Sequence, residues 1–290
     1  MKIGLQLHPQ IKRSSEVLEE ILNFLIDQDN ELYIAKKVAP DYQPVKVELN
    51  YTSPEECIGK IDVMLSIGGD GTFLGALRMI RGTDIPILGI HLGGLGFLAD
   101  LSREDYKTKL KSLFAGNYEI EERYSLEART VPVVDENKYW ATNEFHIDKG
   151  NVMSMIKIRT FVDDEYLNTY RADGLLISSP TGSTAYGLSA GGPIIKPDLD
   201  VISISPICPH SLSARPVIIS GEQEVKIDCN RYKEDESLVI DGSERVGLKE
   251  IEEVVIKKSD DTFKLIRFQN ESFFKTLRKK LNWGIDSRGN

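Results

Sequence analysis

The chain is poor in cysteine and has no long apolar run. Cys57, Cys208 and Cys229 are the only thiols in 290 residues, an odd number with no Cys-x-x-Cys pair. That argues against a disulfide framework or a thiolate metal cage. No apolar stretch approaches the roughly 18 residues that a membrane-crossing helix needs. Met1-Lys2-Ile3-Gly4 enters a strand-like run directly, without a secretory segment, so a reduced, cytoplasmic protein is expected. Basic surplus is missing too: 36 Lys and Arg stand against 45 Asp and Glu, a net charge of -9. This argues against nucleic acid and anionic membrane as partners. His8, His91 and His146 are scattered without metal-ligand spacing, and there are no internal repeats or low-complexity linkers. Nor is there a Gly-x-x-x-x-Gly-Lys-Ser/Thr, so any phosphate site is not of the Walker type. What remains is an ordinary globular composition, 41% hydrophobic and 28% charged, long enough for two domains.

The chain is organised around Leu65-Ser66-Ile67-Gly68-Gly69-Asp70-Gly71-Thr72-Phe73-Leu74. An apolar run from Ile61 to Ile67 meets three glycines around one carboxylate, and Phe73, Leu74, Ala76, Leu77, Met79 and Ile80 follow at helical spacing to about Arg81. The pattern is strand, tight turn, helix. Glycines let a ligand approach the backbone, and free N–H groups at a helix N-terminus attract phosphate. Gly68, Gly69, Gly71 and Thr72 are therefore the candidate phosphate-binding residues. An acid repels phosphate unless it does chemistry, so Asp70 draws a proton from an attacking hydroxyl or holds Mg²⁺. The bland alternative is a local turn capped by its own Asp. Gly-Gly-Asp-Gly-Thr resembles the signature shared by NAD kinases, diacylglycerol and sphingosine kinases and 6-phosphofructokinases.

Around this turn, strands are expected at Lys2–Leu7, Glu31–Ala35 and Ile85–Ile90. Helices are expected after a Ser14/Ser15 cap and over Ser102–Phe114, with Pro40–Thr52 as a polar connection. Alternating strands and helices imply an N-terminal α/β domain with a parallel sheet, residues 1–117, with ligands at the carboxyl ends of its strands. Gly94, Gly96 and Ala99 formally match Gly-x-Gly-x-x-Ala. No acid follows at the spacing of a dinucleotide unit, so the stretch reads as a packing turn.

From Tyr118 short β-like runs dominate: Lys157–Val162, Leu175–Ser178, Val201–Ser205, Val225–Asp228, Leu238–Asp241 and Glu253–Lys257. They imply an all-β, sandwich-like domain over residues 118–267. The basic amphipathic helix Ser272–Leu281 lies in a 268–290 segment expected to pack back on the first domain. Between Ser178 and Tyr186 stand six hydroxyl side chains. They either satisfy their own backbone or recognise a nucleotide, with Tyr186 capping a ring. Their density favours recognition. His210 and Arg215 each admit a structural reading beside a ligand-binding one.

Ser179-Pro180-Thr181-Gly182-Ser183-Thr184-Ala185-Tyr186, with Asp173-Gly174 upstream, resembles the second signature of NAD kinases. Asn143-Glu144, Pro209-His210-Ser211-Leu212 with Arg215-Pro216, and Asp241-Gly242 resemble further segments of that family, in order over residues 60 to 245. The resemblance implies phosphorylation of the adenosine-ribose 2′-hydroxyl of NAD by ATP or polyphosphate with Mg²⁺ or another divalent cation. It implies Asp70 as the catalytic residue, and NAD contacts from Gly71, Asn143, Glu144, Thr181, Thr184, Ala185, Tyr186 and Ser189. It further implies an NAD-over-NADH bias from Arg171, a homo-oligomer (dimer or tetramer), and a reach by Asp173 toward a neighbouring subunit's ligand. The metal ligands stay unassigned. Two rivals remain, a lipid or sugar kinase of the same signature and a non-catalytic dinucleotide sensor.

Overall fold

The structure, a computed structural model, describes residues 1–8, 16–35, 49–93, 96–99, 101–133, 138–151, 153–232, 235–269 and 272–283. The chain divides into Met1–Glu122 with Phe263–Asn290, and Arg123–Thr262.

The first unit carries strands β1 (Lys2–Leu7), β2 (Glu31–Ala35), β3 (Asn50–Thr52), β4 (Val63–Ile67) and β5 (Ile87–Ile90). All pair in parallel in the order β3-β2-β1-β4-β5. Helices α1 (Glu16–Asp27), α2 (Pro54–Ile58), α3 (Asp70–Met79) and α4 (Tyr106–Phe114) alternate with them. The sheet is buried because its strands are continuous apolar runs: every residue of β4 is buried, as parallel strands require. Leu18, Ile21, Leu22 and Leu25 of α1 join Leu5, Leu65 and Ile90 in one core. Chain order reverses between β1 and β4, so the crevice beyond their carboxyl ends is the topological switch point where ligands of such sheets bind. Gly68 to Asp70 follow β4 at that point.

The second unit is antiparallel. Its strands are β6 (Glu119–Val131, from residue 123 onward in this unit), β7 (Tyr139–Ala141), β8 (Glu144–Asp148), β9 (Ile156–Val162), β10 (Glu165–Ala172), β11 (Gly174–Ser178), β12 (Val201–Ile207), β13 (Val217–Ser220), β14 (Val225–Asp228), β15 (Ser237–Ile240), β16 (Glu244–Gly247) and β17 (Glu253–Arg267, to residue 262 in this unit). One sheet runs β13-β12-β11-β8-β15-β16. The other contains β10-β9-β14-β17, with β6 beside β17 and β7 beside β6. Phe145, Ile147, Ile177 and Ile204 of the first sheet share one core with Ile158, Ile227 and Val254 of the second. This two-sheet packing is the sandwich-like arrangement.

Several expectations are corrected. Asn50–Thr52 is an edge strand rather than part of a connection, while residues 36–48 and the Ser14/Ser15 cap lie outside the described residues. The helix expected from Ser102 starts at Tyr106, because Ser102 and Asp105 bond each other in the turn before it. The strand ending at Lys257 continues to Arg267. Leu238–Asp241 stops at Ile240, and Asp241 turns to a φ of 46°, a left-handed conformation that Asp tolerates better than most residues. Helix α5 covers Tyr186–Ser189, and α6 (Phe273–Leu281) follows Ser272. Among the described residues no helix is long and apolar enough to cross a membrane.

Candidate active site

In the first unit, Gly69 caps α3 and offers it no side-chain hydrogen bond. The helix N-terminus therefore keeps its positive end free for an external anion. An added Cβ at Gly69 or Gly71 would meet nothing within 4 Å, so both positions face open space. Thr72 lies beneath them, 5% exposed, and a Cβ at Gly68 would collide with its side chain. Gly68 and Thr72 thus form the floor of the turn, and Gly69 and Gly71 its mouth.

Asp70 does not cap its own turn. Its carboxylate reaches about 27 residues along the chain to the stretch after β5, accepting from the N–H of Phe97 on Oδ2 at 3.0 Å. Oδ1 takes the N–H groups of Leu98 and Ala99 at 3.2 and 3.3 Å. A Cβ at Gly96 would overlap Asp70 Oδ1, so any larger residue there would push the carboxylate out of its place. The near-match to a dinucleotide fingerprint is therefore an acid-holding turn, of which Gly94 and Leu95 lie outside the described residues. A carboxylate offers about four lone-pair positions. Among the described residues three of them are bonded to amides, which fixes Asp70 in orientation and leaves one position on Oδ2. Lys280 Nζ of α6 lies 3.9 Å from Oδ2.

In the second unit the Asn143–Glu144 pair opens β8. Asp241 accepts the N–H groups of Thr142, Asn143 and Glu144 at 3.0, 2.8 and 3.2 Å, and its own N–H donates to Glu144 O at 3.1 Å. Alternation then sends Phe145 and Ile147 into the core and leaves Glu144, His146 and Asp148 on the other face of the strand. Glu144 is 6% exposed, and its Oε2 finds no hydrogen-bond partner among the described residues. Burial, reinforced by the Asp241 charge, pushes the Glu144 carboxyl up to about 8. A buried acid that holds its proton near neutral pH can donate to, or accept from, a sugar hydroxyl. His146 lies edge-on to Tyr186 with ring centroids 5.6 Å apart, and burial lowers its imidazole's proton affinity.

The loop after β11 packs on this pair. Ser179 N–H donates to Asn143 O at 2.9 Å, and Ser179 Oγ to Thr142 O at 2.6 Å. Gly182 must lack a side chain because a Cβ there would overlap the Asn143 carbonyl. Three of the hydroxyls serve the fold: Ser179 as above, Ser183 Oγ toward Pro180 O and Ile195 O, and Thr184 Oγ1 toward Thr181 O. For these three side chains the structure shows the self-satisfied backbone, one of the two readings of this loop. Thr181 is buried, Thr184 and Ala185 are half-buried, and Tyr186 and Ser189 are exposed.

Asn143, Glu144, Thr181 to Tyr186 and Asp241 thus come together. Asp173 sits immediately before β11, paired with Lys149 at 2.7 Å. Arg171 is exposed at the end of β10. Arg215 turns its guanidinium onto Leu212 O and Ala214 O of its own loop, at 2.6 and 2.7 Å, which favours the structural reading. His210 is exposed. Sequence reasoning missed the amides of residues 97 to 99 and the place of Lys280. The only signal for the latter was one more cation on a basic helix.

Comparisons with known proteins identify the family. A family model described as ATP-NAD kinase N-terminal domain matches residues 3–118, and one described as ATP-NAD kinase C-terminal domain matches residues 142–268. The chain is 38% identical to an NAD kinase of Clostridium botulinum over 281 residues, 97% of this chain and 96% of that one. It is 44% identical to an NAD kinase of Bacteroides fragilis over 227 residues, 78% of each. Among solved structures, an Archaeoglobus fulgidus NAD kinase in complex with ATP superposes with a TM-score of 0.76 at 26% identity, covering 97% of this chain and 99% of that one. A yeast NADH kinase complexed with NADH reaches 0.85 at 24% identity, covering 100% and 90%, and shows the shared fold.

Proposed function

The chain belongs to the NAD kinase family, and we propose on that premise that it moves the terminal phosphoryl group of ATP to the 2′-hydroxyl of the adenosine ribose of NAD, yielding NADP. It is an enzyme that phosphorylates NAD with ATP. The observation that carries the assignment of roles is Asp70, held by three amides and with one lone pair of Oδ2 left over among the described residues. A ribose hydroxyl is a poor nucleophile, and a carboxylate near 3 Å that takes its proton as the phosphorus–oxygen bond forms makes it a better one. Gly69 and Gly71, with their open approach, offer amides to the transferring phosphates. Gly68 and Thr72 support that turn from below. Asn143 and Glu144 hold ribose hydroxyls, with Thr181, Thr184, Ala185, Tyr186 and Ser189 cradling the rest of the dinucleotide. The exposed Arg171 biases the site toward NAD over NADH.

A divalent cation, Mg²⁺ by preference, belongs to the same reading. Among the described residues no three His, Cys, Asp or Glu side chains converge into a cage. The proposed cation is carried on the donor's phosphates and takes at most a carboxylate such as Asp70 from the protein. When bound it neutralises charge on the phosphoryl oxygens. Polyphosphate as an alternative donor fits the same open turn. A homo-oligomer is supported by the exposed Leu212 and by Ile218, 49% exposed on edge strand β13. A role in NADP biosynthesis follows from the product of the proposed reaction, and a cytoplasmic place is in keeping with the unpaired thiols Cys57, Cys208 and Cys229.

The assay is NADP formation from NAD and Mg·ATP, with polyphosphate as a second donor. Robust turnover supports the reading. A folded wild-type chain that makes no NADP with either donor overturns it.

A further inference from the structure

Lys280 is more enclosed than its place on a basic surface helix suggests. It lies in the last turn of α6, where a surface lysine would reach for water. Instead its side chain is only 14% exposed. Its ammonium sits 3.9 Å above the Phe97 ring centroid and 3.9 Å from Asp70 Oδ2. The second distance makes an ion pair but exceeds hydrogen-bond reach. The ammonium therefore has three N–H donors and no hydrogen-bond acceptor among the described residues. Leaving a mostly buried cation without acceptors is costly. Burial lowers its proton affinity, and the Asp70 charge restores part of it. Phe97 joins the two charges: its N–H holds Asp70 Oδ2 while its ring carries the lysine. The lysine is built into the clamp that aims the carboxylate.

A group that needs acceptors, placed beside a carboxylate with a spare lone pair, points to an anionic ligand at that carboxylate. Reacting atoms approach to about 3–3.5 Å. A cation about 4 Å from the base is then within reach of the oxygens around the phosphorus under attack. We propose that Lys280 is a catalytic residue of the transfer, its ammonium donating hydrogen bonds to the oxygens of the phosphoryl group as that group passes to a hydroxyl bound at Asp70. The inference rests on the kinase reading above. In the step, the ribose oxygen forms a bond to the γ-phosphorus as the bond from that phosphorus to the β,γ-bridging oxygen breaks. That electron pair leaves with ADP, and the hydroxyl proton goes to Asp70 Oδ2. Lys280 keeps its proton throughout. It meets the charge that spreads over the phosphoryl oxygens, a task that P-loop enzymes give to a lysine of the loop itself.

The test compares full-length wild type with Lys280→Met, which keeps an unbranched stem against Phe97, and Lys280→Arg. Removing one such donor lowers kcat by about 10²- to 10³-fold in other enzymes. Lys280→Met should fall by about that much with the KM for NAD unchanged, and Lys280→Arg should recover a large part. Calorimetric titration separates this from damage to the fold. Mg·ATP should bind Lys280→Met more weakly than wild type, while Mg·ADP, which lacks the γ-phosphoryl group, binds both alike. Wild-type kcat in Lys280→Met, or equal weakening of ATP and ADP, overturns the proposal. Should wild type make no NADP, the kinase reading falls by itself. The ATP-against-ADP comparison still decides Lys280, ATP-selective weakening keeping its phosphoryl contact and no selectivity removing it.

Discussion

Asp241 Oδ1 accepts the main-chain N–H of Asn143 at 2.8 Å across 98 residues of sequence. That bond, with those to Thr142 and Glu144, shapes the turn from which Asn143 and Glu144 emerge. Asp241 does for this pair what residues 97 to 99 do for Asp70: a remote segment fixes a candidate functional group through main-chain hydrogen bonds. Asp241→Ala strands three N–H groups on residues that are all under 9% exposed. Hydrogen bonds to a charged acceptor contribute about 1.5–3 kcal/mol each, not additively. We expect a loss of about 2–4 kcal/mol in denaturant unfolding and a rise of roughly tenfold or more in the KM for NAD. A variant with wild-type KM would show that Asp241 has no part in shaping the site.

Asp70→Asn keeps an oxygen for Leu98 and Ala99 but replaces the proton acceptor. NADP formation should drop by about 10²-fold or more, with a modest fall in melting temperature because the amide nitrogen in the place of Oδ2 cannot accept from the Phe97 N–H. Turnover that survives the substitution would remove Asp70 as both base and metal anchor.

Glu144 makes stability depend on pH. Its folded carboxyl is raised to about 8, so between its unfolded value and that point the native chain holds a proton that the unfolded chain has released. Native stability therefore falls as pH rises from about 5 to 8, then levels. Each tenfold difference in proton affinity is about 1.4 kcal/mol, so the loss is at most a few kcal/mol. Glu144→Gln should melt higher than wild type at pH 8.5 and nearly together with it at pH 5. Parallel curves would count against the raised carboxyl.

Gly182→Ala drives a methyl group into the Asn143 carbonyl. Overpacking of this kind costs about 1–3 kcal/mol, and here it also displaces the Asn143–Glu144 turn. Weakened NAD binding by titration, together with a lower melting temperature, is the expected result. Unchanged NAD affinity would separate this loop from the ligand.

Chelation with EDTA should stop NADP formation and leave the melting temperature unchanged, because the cation in the proposed reaction arrives on the nucleotide. A melting point that falls on chelation would point to a structural ion instead.

Local chemistry determined a good deal. Apolar runs bounded by glycine and proline set most strands, and Gly68-Gly69-Asp70-Gly71 declared a strand–turn–helix with an acid where phosphate would sit. The alternation in Glu144-Phe145-His146-Ile147 set which side chains enter the core. The order of signatures pointed to the family. What the tertiary structure alone decided is which atoms meet across long stretches of chain: Asp70 with Phe97, Leu98 and Ala99, Asp241 with Asn143, Lys280 with Phe97 and Asp70. It also showed that Ser179, Ser183 and Thr184 serve their own backbone. Periodicity and turn chemistry act over a few residues and can be read in a line of letters. A hydrogen bond to a remote amide depends on strand order and on where each segment ends, and pairings of that kind exist only once the sheets have formed.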